Sequence, residues 1–596
     1  MSRFGGVVVR RAVPCVMRDG VKLYSDIYMP DERGEFPVLL MRQPYGRTIA
    51  STVTYAHPVW YARHGYIVVI QDVRGRGDSE GEFAPFIQEG ADGFDTVEWA
   101  AALPQSNGRV GMYGFSYQGI TQWAAAAERP PSLKAIAPAM CPADLYHGTF
   151  YPHGSFAIGD KLPWAFQLAR DTARRAGDAE AAEQCTRMMR HPDDWLFHVP
   201  VTDRHPLLER YFPTYYEWCE HTEYDGYWRE RNWLPRLAEC PIPALHIGGW
   251  YDSYLMGTLG SFAALQESPG RERTIHRLIV GPWGHIPWGR MAGGADHGPA
   301  ADGDIHMEQL RWFDYWLKGN ADADPSAEPP VRYFEQYSNS WRTARRWPAA
   351  DAPDTGKSGF RLYLSGTPKP ANGALGGGVL APSPGREEEE TADVFVYDAR
   401  LPMRTDNCLP SDRSAIQDRY EILVYSGEPL DRTIHLFGSP KLVVRCQTMG
   451  GPTDLVATLT VVKPDGKARF LSVGRTEIGR PAAQGAAAAG AADGDMADDA
   501  EPAAEASAGS AGEWERAAID MRPFAAALEA GDALRLELTG SAFPLFARHP
   551  NAGPEGRHRA GEEKLGIVAV AVCRDNGGAA YVELPVAPLD DDAVGG

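Results

Sequence analysis

The first part of the chain repeats one pattern, in which a short apolar run is followed by apolar residues at helical spacing. The apolar runs predict buried strands at residues 37–41, 66–71, 110–113 and 133–138. Residues 56–64 and 89–102 predict helices between them. Strands that are apolar throughout and alternate with helices are typical of a parallel sheet covered on both faces. Ahead of this unit, residues 13–17 and 23–28 flank a turn and predict a hairpin.

Residues 141–240 interrupt this alternation with a segment rich in helix formers and aromatic side chains. We expect a helical cap inserted into the α/β unit, with some of its aromatic residues lining a pocket. The alternation then resumes with strands at 243–248 and 277–281 and helices at 255–265 and 307–317. The strand at 277–281 is expected to be the last of the core.

After residue 355 the pattern changes to short alternating runs separated by Gly, Pro and Asp turns. This pattern predicts an antiparallel β-sandwich, with a jelly roll as the expected topology. The Ala/Gly/Asp/Glu tract at 481–512 cannot bury a core, so a disordered surface loop is expected there. The fold class is therefore α/β, with a core at 1–140 and 241–354, a cap at 141–240 and a jelly roll at 355–596.

Composition narrows the function classes. A chain of 596 residues is too long for one core, so several domains are expected. The net charge of −20 argues against a nucleic-acid partner. No run approaches the roughly 18 apolar residues of a membrane helix and no signal-peptide pattern is visible, so we expect a cytoplasmic protein without a membrane partner. The eight cysteines contain no C-x-x-C pair and predict reduced thiols rather than disulfides or a zinc site.

A serine stands where a predicted strand meets a predicted helix, in the run Gly114-Phe115-Ser116-Tyr117-Gln118-Gly119. A serine at a sharp strand-to-helix turn has the geometry of a nucleophile elbow. The glycines permit close packing, and the helix N-terminus stabilises an oxyanion. Gln118 holds the last glycine position of the usual G-x-S-x-G motif. The motif alone is therefore equally compatible with an ordinary βα turn.

Two further residues complete a candidate catalytic triad. Asp252 and His285 each follow a predicted strand, and the order Ser, Asp, His is typical of this kind of sheet. The carboxyl ends of parallel strands share one edge, so we expect the three side chains to meet. Ser116 is then the nucleophile, His285 the base and Asp252 the group that orients the imidazole. Individually, His285 also fits a structural histidine and Asp252 a helix N-cap.

An oxyanion hole needs two hydrogen-bond donors. The backbone N–H of Tyr117, directly after the serine, is the expected first donor. The second is expected from the loop at 42–46, where the Tyr45 phenol is the candidate. Considered as a residue on its own, Tyr45 is more typical of an ordinary turn.

Several stretches resemble the cocaine-esterase-like (CocE/NonD) hydrolases, relatives of the Xaa-Pro dipeptidyl-peptidases and α-amino-acid ester hydrolases. The matching stretches lie at 44–45, 72–81, 114–119, 248–252, 281–285 and 310–319. The resemblance implies a discontinuous α/β-hydrolase core, a helical cap and a C-terminal jelly roll. It also implies Ser116, Asp252 and His285 as the triad, with Tyr45 and Tyr117 as oxyanion donors.

The resemblance further implies a bracing role for the loop at 72–81 and pocket positions for Trp164 and Tyr254. The predicted function is that of a serine hydrolase cleaving an ester, or less favourably an amide, of a small acyl group through an acyl-enzyme. No metal and no organic cofactor are expected. The partner is a small-molecule ester or peptide substrate, and the oligomeric state stays open, with a homodimer as one alternative.

Two alternatives remain at this point. The first is an Xaa-Pro dipeptidyl-peptidase, which requires an anionic recess for the substrate ammonium. Asp144, Asp160 and Glu217 lie in the cap region, but their positions do not map onto the carboxylate cluster of the amino-acid ester hydrolases. The second alternative is a non-catalytic protein that binds carbohydrate through the jelly roll.

Overall fold

The fold is taken from a computed structural model. It describes residues 2–48, 54–239, 242–267, 275–286, 288–348, 360–385, 391–405, 408–480, 512–552, 557–575 and 577–587. The loop predicted at 481–512 lies outside the described residues, apart from its last position. Within the described ranges, every helix is too short or too polar to cross a membrane.

A sheet of eleven strands forms the centre of the first half of the chain. Its first nine strands are β1 (Ser2–Phe4), β2 (Val7–Val16), β3 (Lys22–Pro30), β4 (Phe36–Gln43), β5 (Ile67–Asp72), β6 (Ser106–Phe115), β7 (Leu133–Ala139), β8 (Ala244–Gly249) and β9 (His276–Gly281). A separate hairpin pairs β10 (Met291–Ala292) with β11 (Ala295–Asp296), and β12 (Val331–Glu335) and β13 (Ser340–Ala344) complete the large sheet.

The strand order is β1-β2-β3-β5-β4-β6-β7-β8-β9-β12-β13. Strands β4 to β9 and β12 run parallel to one another, whereas β3 is antiparallel to β5. The prediction that 277–281 is the last core strand is wrong, because β12 pairs with β9 and β13 with β12. Half-buried Arg332 interrupts the apolar run of β12, so this strand lacks the continuous apolar pattern of a central strand.

Five described helices accompany this sheet: α1 (Pro58–Arg63), α2 (Glu89–Ala101), α3 (Tyr117–Ala127), α11 (Leu255–Gln266) and α12 (Ile305–Lys318). Alternate residues of β4 enter different cores, because successive side chains of a strand point to opposite faces. Val38 joins the cluster that contains Trp123 of α3, and Leu39 joins the cluster that contains Phe313 of α12. The sheet is therefore covered on both faces, as its apolar strands predict.

The cap helices lie in sequence between β7 and β8. They are α4 (Ile158–Arg175), α5 (Ala179–Arg190), α6 (Asp193–Leu196), α7 (Pro206–Tyr211), α8 (Thr214–Glu220), α9 (Gly226–Arg229) and α10 (Leu234–Glu239). A π-helical turn (Tyr146–Phe150) and a 3-10 turn (Pro152–Gly154) precede them. Outside the cap, further 3-10 turns lie at Pro299–Ala301, Ala321–Ala323, Pro325–Ala327 and Glu562–Lys564. Phe150 and Trp218 of the cap share one apolar cluster with Tyr117 of α3, so the cap packs on the serine end of the sheet.

The described residues from 360 onward form an all-β domain. Its strands are β14 (Phe360–Gly366), β15 (Gly378–Ala381), β16 (Ala392–Asp398), β17 (Leu423–Gly427), β18 (Ile434–Gly438), β19 (Lys441–Met449), β20 (Thr453–Val462), β21 (Ala468–Ile478), β22 (Glu515–Asp520), β23 (Phe524–Leu528), β24 (Ala533–Thr539), β25 (Ile567–Cys573) and β26 (Tyr581–Leu584). The pairing is antiparallel except between β15 and β17. The predicted fold class, an α/β-hydrolase core with a cap and a C-terminal all-β domain, is confirmed.

Helix α3 approaches the sheet so closely that Gly119 has no room for a side chain. A Cβ atom there would lie 2.2 Å from Cys141 Sγ and 3.2 Å from the carbonyl oxygen of Ala139. The first distance is far below van der Waals contact, and the second is tight. The glycine therefore sets the distance between α3 and the strand that follows it.

We expect Gly119→Ala to destabilise the protein by about 1–3 kcal/mol, because the added methyl group overpacks a filled site. Urea unfolding followed by circular dichroism measures the effect. Gly119→Ala/Cys141→Ala should recover part of the loss, since the nearest clashing atom is the sulfur. Gly260→Ala is the control, because its Cβ meets nothing within 4 Å on an exposed face of α11. If the changes in unfolding free energy from the two single substitutions simply added in the double variant, the steric explanation would be contradicted.

Candidate active site

Ser116 adopts a strained backbone conformation at the start of α3. Its φ of 57° and ψ of −128° lie in a region that L-residues rarely occupy. The Ser116 N–H donates to the Ala139 carbonyl at 2.9 Å, and the Ser116 carbonyl accepts from Gly119 and Ile120. The turn therefore directs the serine side chain away from the helix and toward the carboxyl edge of the sheet.

Gln118 replaces the glycine of the usual elbow motif and makes a polar contact of its own. Its side-chain oxygen accepts from the Phe115 N–H at 3.3 Å. The amide of Gln122, one helical turn later, donates to the carbonyls of Gly114 and Gln118 at 3.1 Å each. Buried amide groups thus hold both sides of the turn, and the requirement for close packing moves to Gly119.

The structure brings the three predicted catalytic side chains together. His285 Nε2 lies 3.0 Å from Ser116 Oγ, and His285 Nδ1 lies 2.8 Å from Asp252 Oδ1. Each residue follows the carboxyl end of its strand, β6, β8 or β9. Helix α11 begins at Leu255 with Tyr254 as its N-cap, so Asp252 is not a helix cap.

Burial and the Asp252 carboxylate act on His285 in opposite directions. The aspartate side chain has no exposure, whereas that of His285 is 29% exposed. Burial is the largest single effect and lowers the pKa of His285, but the charge and hydrogen bond of Asp252, together with the charge of Asp160, raise it above its ordinary value. The imidazole is therefore suited to accept a proton near neutral pH.

Arg522 of the all-β domain holds the loop that carries Asp252. Its Nη2 atom donates to the carbonyl of Trp250 at 3.2 Å and to the carbonyl of Asp252. Arg522 is only 5% exposed. The sequence gives no signal for this contact, because the two partners lie 270 positions apart.

Both predicted oxyanion donors lie beside Ser116. Tyr117 is the first residue of α3, so its backbone N–H has no acceptor within the helix. The Tyr45 hydroxyl accepts a hydrogen bond from Trp164 Nε1 at 3.1 Å and interacts with Ser116. Burial raises the pKa of the Tyr45 phenol to about 12, so the group keeps its proton. Since the phenol accepts from Trp164, its own hydrogen is free to donate.

The loop that carries Tyr45 is braced by a buried arginine that the sequence did not single out. Arg47 donates to Asp72 Oδ2 at 2.5 Å, to Asp26 Oδ1 at 3.0 Å and to Asp78 Oδ2 at 2.7 Å. Its side chain is 7% exposed. The carboxylates come from β3, β5 and the turn that follows β5.

The arginines of the 72–81 loop make the bracing contacts that the resemblance implies. Arg74 donates to Asp92 of α2 at 2.6 Å. Arg76 reaches the cap, where it donates to the Leu168 carbonyl at 3.0 Å and to Asp171 at 3.1 Å. The loop therefore joins the core sheet to both α2 and α4.

The two predicted pocket residues both contact the site. Trp164, which donates to Tyr45, stacks on Trp218 with ring centroids 5.2 Å apart. Tyr254 packs its ring edgewise on His285 at 4.7 Å. Tyr254 is 8% exposed, so most of its surface contacts protein rather than solvent.

Lys161 is a buried cation beside the site that sequence reasoning missed. Its Nζ atom donates to Asp160 Oδ2 at 2.7 Å, to Thr149 Oγ1 at 2.5 Å and to the Tyr254 hydroxyl at 3.0 Å. The side chain is 1% exposed. The available signal was a lysine next to Asp160 in an otherwise apolar turn of the cap.

A second polar cluster, remote in sequence from the triad, contains Asp454, Glu477 and His549. Their ligand atoms lie within 4.8 Å of one another. Arg475 donates to Asp454 at 2.5 Å, and Arg557 contacts both carboxylates. Because the arginines neutralise these acids, the arrangement is a buried ion-pair network rather than a metal centre.

Two family models match the chain. The model described as X-Pro dipeptidyl-peptidase (S15 family) matches residues 19–287. The model described as X-Pro dipeptidyl-peptidase C-terminal non-catalytic domain matches residues 325–571. The matches therefore cover most of the α/β core, its cap and most of the all-β domain.

A curated relative and two solved structures extend over nearly the whole chain. Cocaine esterase of Rhodococcus sp. (strain MB1 Bresler) is 32% identical over 570 residues, which cover 92% of this chain and 93% of the relative. An aminopeptidase from a marine sediment Thaumarchaeota archaeon has a TM-score of 0.75 at 22% identity, covering 98% of this chain and 97% of the other. An α-amino acid ester hydrolase has a TM-score of 0.74 at 21% identity, with the same coverage.

The two structural likenesses show a shared fold, and the family matches and the relative show kinship. The predicted resemblance to this group is confirmed. The chain belongs to the S15 family, in the group of cocaine-esterase-like (CocE/NonD) enzymes, and is a serine hydrolase.

Proposed function

We propose that the protein hydrolyses a carboxylic ester of a small acyl group through an acyl-enzyme, with Ser116, His285 and Asp252 as the triad. The observation that carries this proposal is the continuous hydrogen-bonded series from Ser116 Oγ through the imidazole to Asp252 Oδ1. Because the chain is a serine hydrolase, the alternative of a non-catalytic carbohydrate-binding protein is wrong.

In the proposed reaction, Ser116 Oγ attacks the carbonyl carbon of the ester and its proton passes to His285 Nε2. The oxyanion of the tetrahedral intermediate accepts hydrogen bonds from the Tyr117 N–H and the Tyr45 hydroxyl. The imidazolium, stabilised by Asp252, then protonates the leaving alkoxide. Water attacks the acyl-enzyme by the same route, and the carboxylic acid and free serine are released.

The Asp160–Lys161 contact favours an ester over an Xaa-Pro dipeptide as substrate. A dipeptidyl-peptidase must bind the substrate's N-terminal ammonium with an unpaired anionic group. Asp160 lies close enough to influence His285, but the Lys161 ammonium at 2.7 Å balances its charge, so the pair offers a substrate ammonium no net negative charge. The family match by itself still supports the dipeptidyl-peptidase alternative, so we keep it as the second candidate.

We expect a fluorophosphonate probe to label Ser116 in the wild type and to leave Ser116→Ala unlabelled, because attack requires an activated hydroxyl. Peptide mass mapping identifies the site. Labelling should slow as the pH falls through the pKa of His285, since the protonated ring cannot accept the serine proton. Ser414→Ala, in the all-β domain, is the control and should label normally. Folded wild-type protein that stays unlabelled would contradict the proposal.

Tyr45→Phe is expected to lower kcat by roughly 10²-fold with little change in KM, because a donor to the oxyanion acts mainly in the transition state. Steady-state hydrolysis of an aryl ester measures both constants. Trp164→Phe is the comparison, since it removes the hydrogen bond to the phenol but leaves the phenol itself. Trp164→Phe should lower kcat less than Tyr45→Phe does. An unchanged kcat for Tyr45→Phe would remove Tyr45 from the oxyanion hole.

We expect the kcat/KM for an aryl acetate to be at least about 100-fold above that for Ala-Pro-anilide. The anilide carries an N-terminal ammonium that needs an anionic partner in the site, whereas the acetate needs none. Both substrates release a chromophore and are compared at the same pH. The reverse preference would establish the dipeptidyl-peptidase alternative. Ser116→Ala serves as the blank for both assays.

A further inference from the structure

A buried charge pair at the start of the first cap helix faces the candidate triad. Asp160 and Lys161 lie in the first turn of α4, which begins at Ile158. The Asp160 side chain is 35% exposed, whereas that of Lys161 is 1% exposed. The carboxylate is therefore partly open to solvent, whereas the ammonium group is enclosed.

The enclosed ammonium group has a complete set of partners. An ammonium offers three hydrogens, and Lys161 donates to Asp160, Thr149 and the Tyr254 hydroxyl. It also lies 4.7 Å from the ring centroid of Phe150 and 4.3 Å from that of Tyr254. A buried cation with saturated donors is not available to bind substrate, so it has a different role.

Tyr254 links this pair to the base. Its hydroxyl accepts from Lys161 at 3.0 Å, and its ring packs edgewise on His285 at 4.7 Å. The position of this ring limits how the imidazole turns. Lys161 thus acts on the base through one intervening side chain.

We propose that Asp160 and Lys161 are positioning residues of the cap, which hold Tyr254 against His285 and balance the charge around the general base. This inference rests on the proposed function, because it assigns His285 the role of base. It adds that the cap contributes to proton transfer as well as covering the sheet.

The groups that face His285 from each neighbouring element are few among the residues that the structure describes. Asp252 lies at the end of β8, Tyr254 precedes α11, and Asp160 and Lys161 come from α4. Asp252 and Asp160 raise the pKa of His285, whereas Lys161 lowers it. Behind Asp252, the Arg522 guanidinium is bound to backbone carbonyls.

The two charges of the pair therefore act on the base in opposite directions. Removing Lys161 leaves the Asp160 carboxylate unbalanced, which stabilises the imidazolium and raises the pKa of His285. Removing the Asp160 charge takes away the larger of the two effects and lowers that pKa. Substitution of a side chain that only maintains the fold would reduce activity without changing the pKa of His285.

The test measures the rate constant for fluorophosphonate labelling of Ser116 from pH 5 to 9 in the full-length protein. The acidic limb is the pH range in which this rate constant falls as His285 becomes protonated. It should move to higher pH in Lys161→Met and to lower pH in Asp160→Asn, by roughly 0.5–1 pH unit each. Asp160→Asn/Lys161→Met should lie between the single variants. The exposed cap pair Arg204 and Glu220 supplies the controls Arg204→Met and Glu220→Gln, which should leave the limb in place.

Tyr254→Phe separates positioning from charge, because it keeps the ring and both charges but removes the hydroxyl that contacts Lys161 and Asp160. It should lower the plateau rate several-fold and leave the limb at its wild-type pH. If Lys161→Met fails to fold, the isosteric Asp160→Asn and Tyr254→Phe variants still decide the question.

The inference would be overturned if Ser116 is labelled but the acidic limb lies at the same pH in all folded variants. It would also be overturned if the limb moves in the same direction in Lys161→Met and Asp160→Asn. Absence of labelling in the wild type would instead overturn the proposed function. The two failures are therefore distinguishable in one data set.

Discussion

The site depends on the close approach of α3 to the sheet at Gly119. With no side chain there, the helix begins directly against Cys141, and the chain must turn from β6 into α3 within one residue. That residue is Ser116, which takes up the turn as a strained positive φ of 57°. The same turn aims the hydroxyl at His285 and leaves the first helical N–H beside it. One packing constraint thus places both the proposed nucleophile and a proposed oxyanion donor.

The predictable part of the site consists of residues that directly follow apolar strands. Ser116, Asp252 and His285 share that position, and parallel strand ends meet at one edge, so their proximity could be derived without coordinates. The central strands were predictable for a related reason, because their apolar runs are continuous. Where polar residues enter a strand, as Arg332 does in β12, this signal fails and the sheet is predicted too narrow.

The less predictable part consists of long side chains that cross between segments. Lys161 and Arg522 each contact residues far away in the chain, and no spacing rule connects them with their partners. A buried cation also looks like a surface cation in a sequence, since the residue type is the same. Tyr45 lies between these cases. Its place after a core strand is visible, but its orientation comes from the hydrogen bond with Trp164 of the cap.

The Arg522 contact has a consequence for how such chains diversify. The guanidinium of one domain binds the backbone, not a side chain, of the loop that bears Asp252 in another domain. Side-chain substitutions in the loop therefore leave these two acceptors in place. Exchange of whole domains between lineages is different, because an incoming domain without an arginine at this place would leave two buried carbonyls without this donor. The arginine thus makes the position of Asp252 depend on the all-β domain.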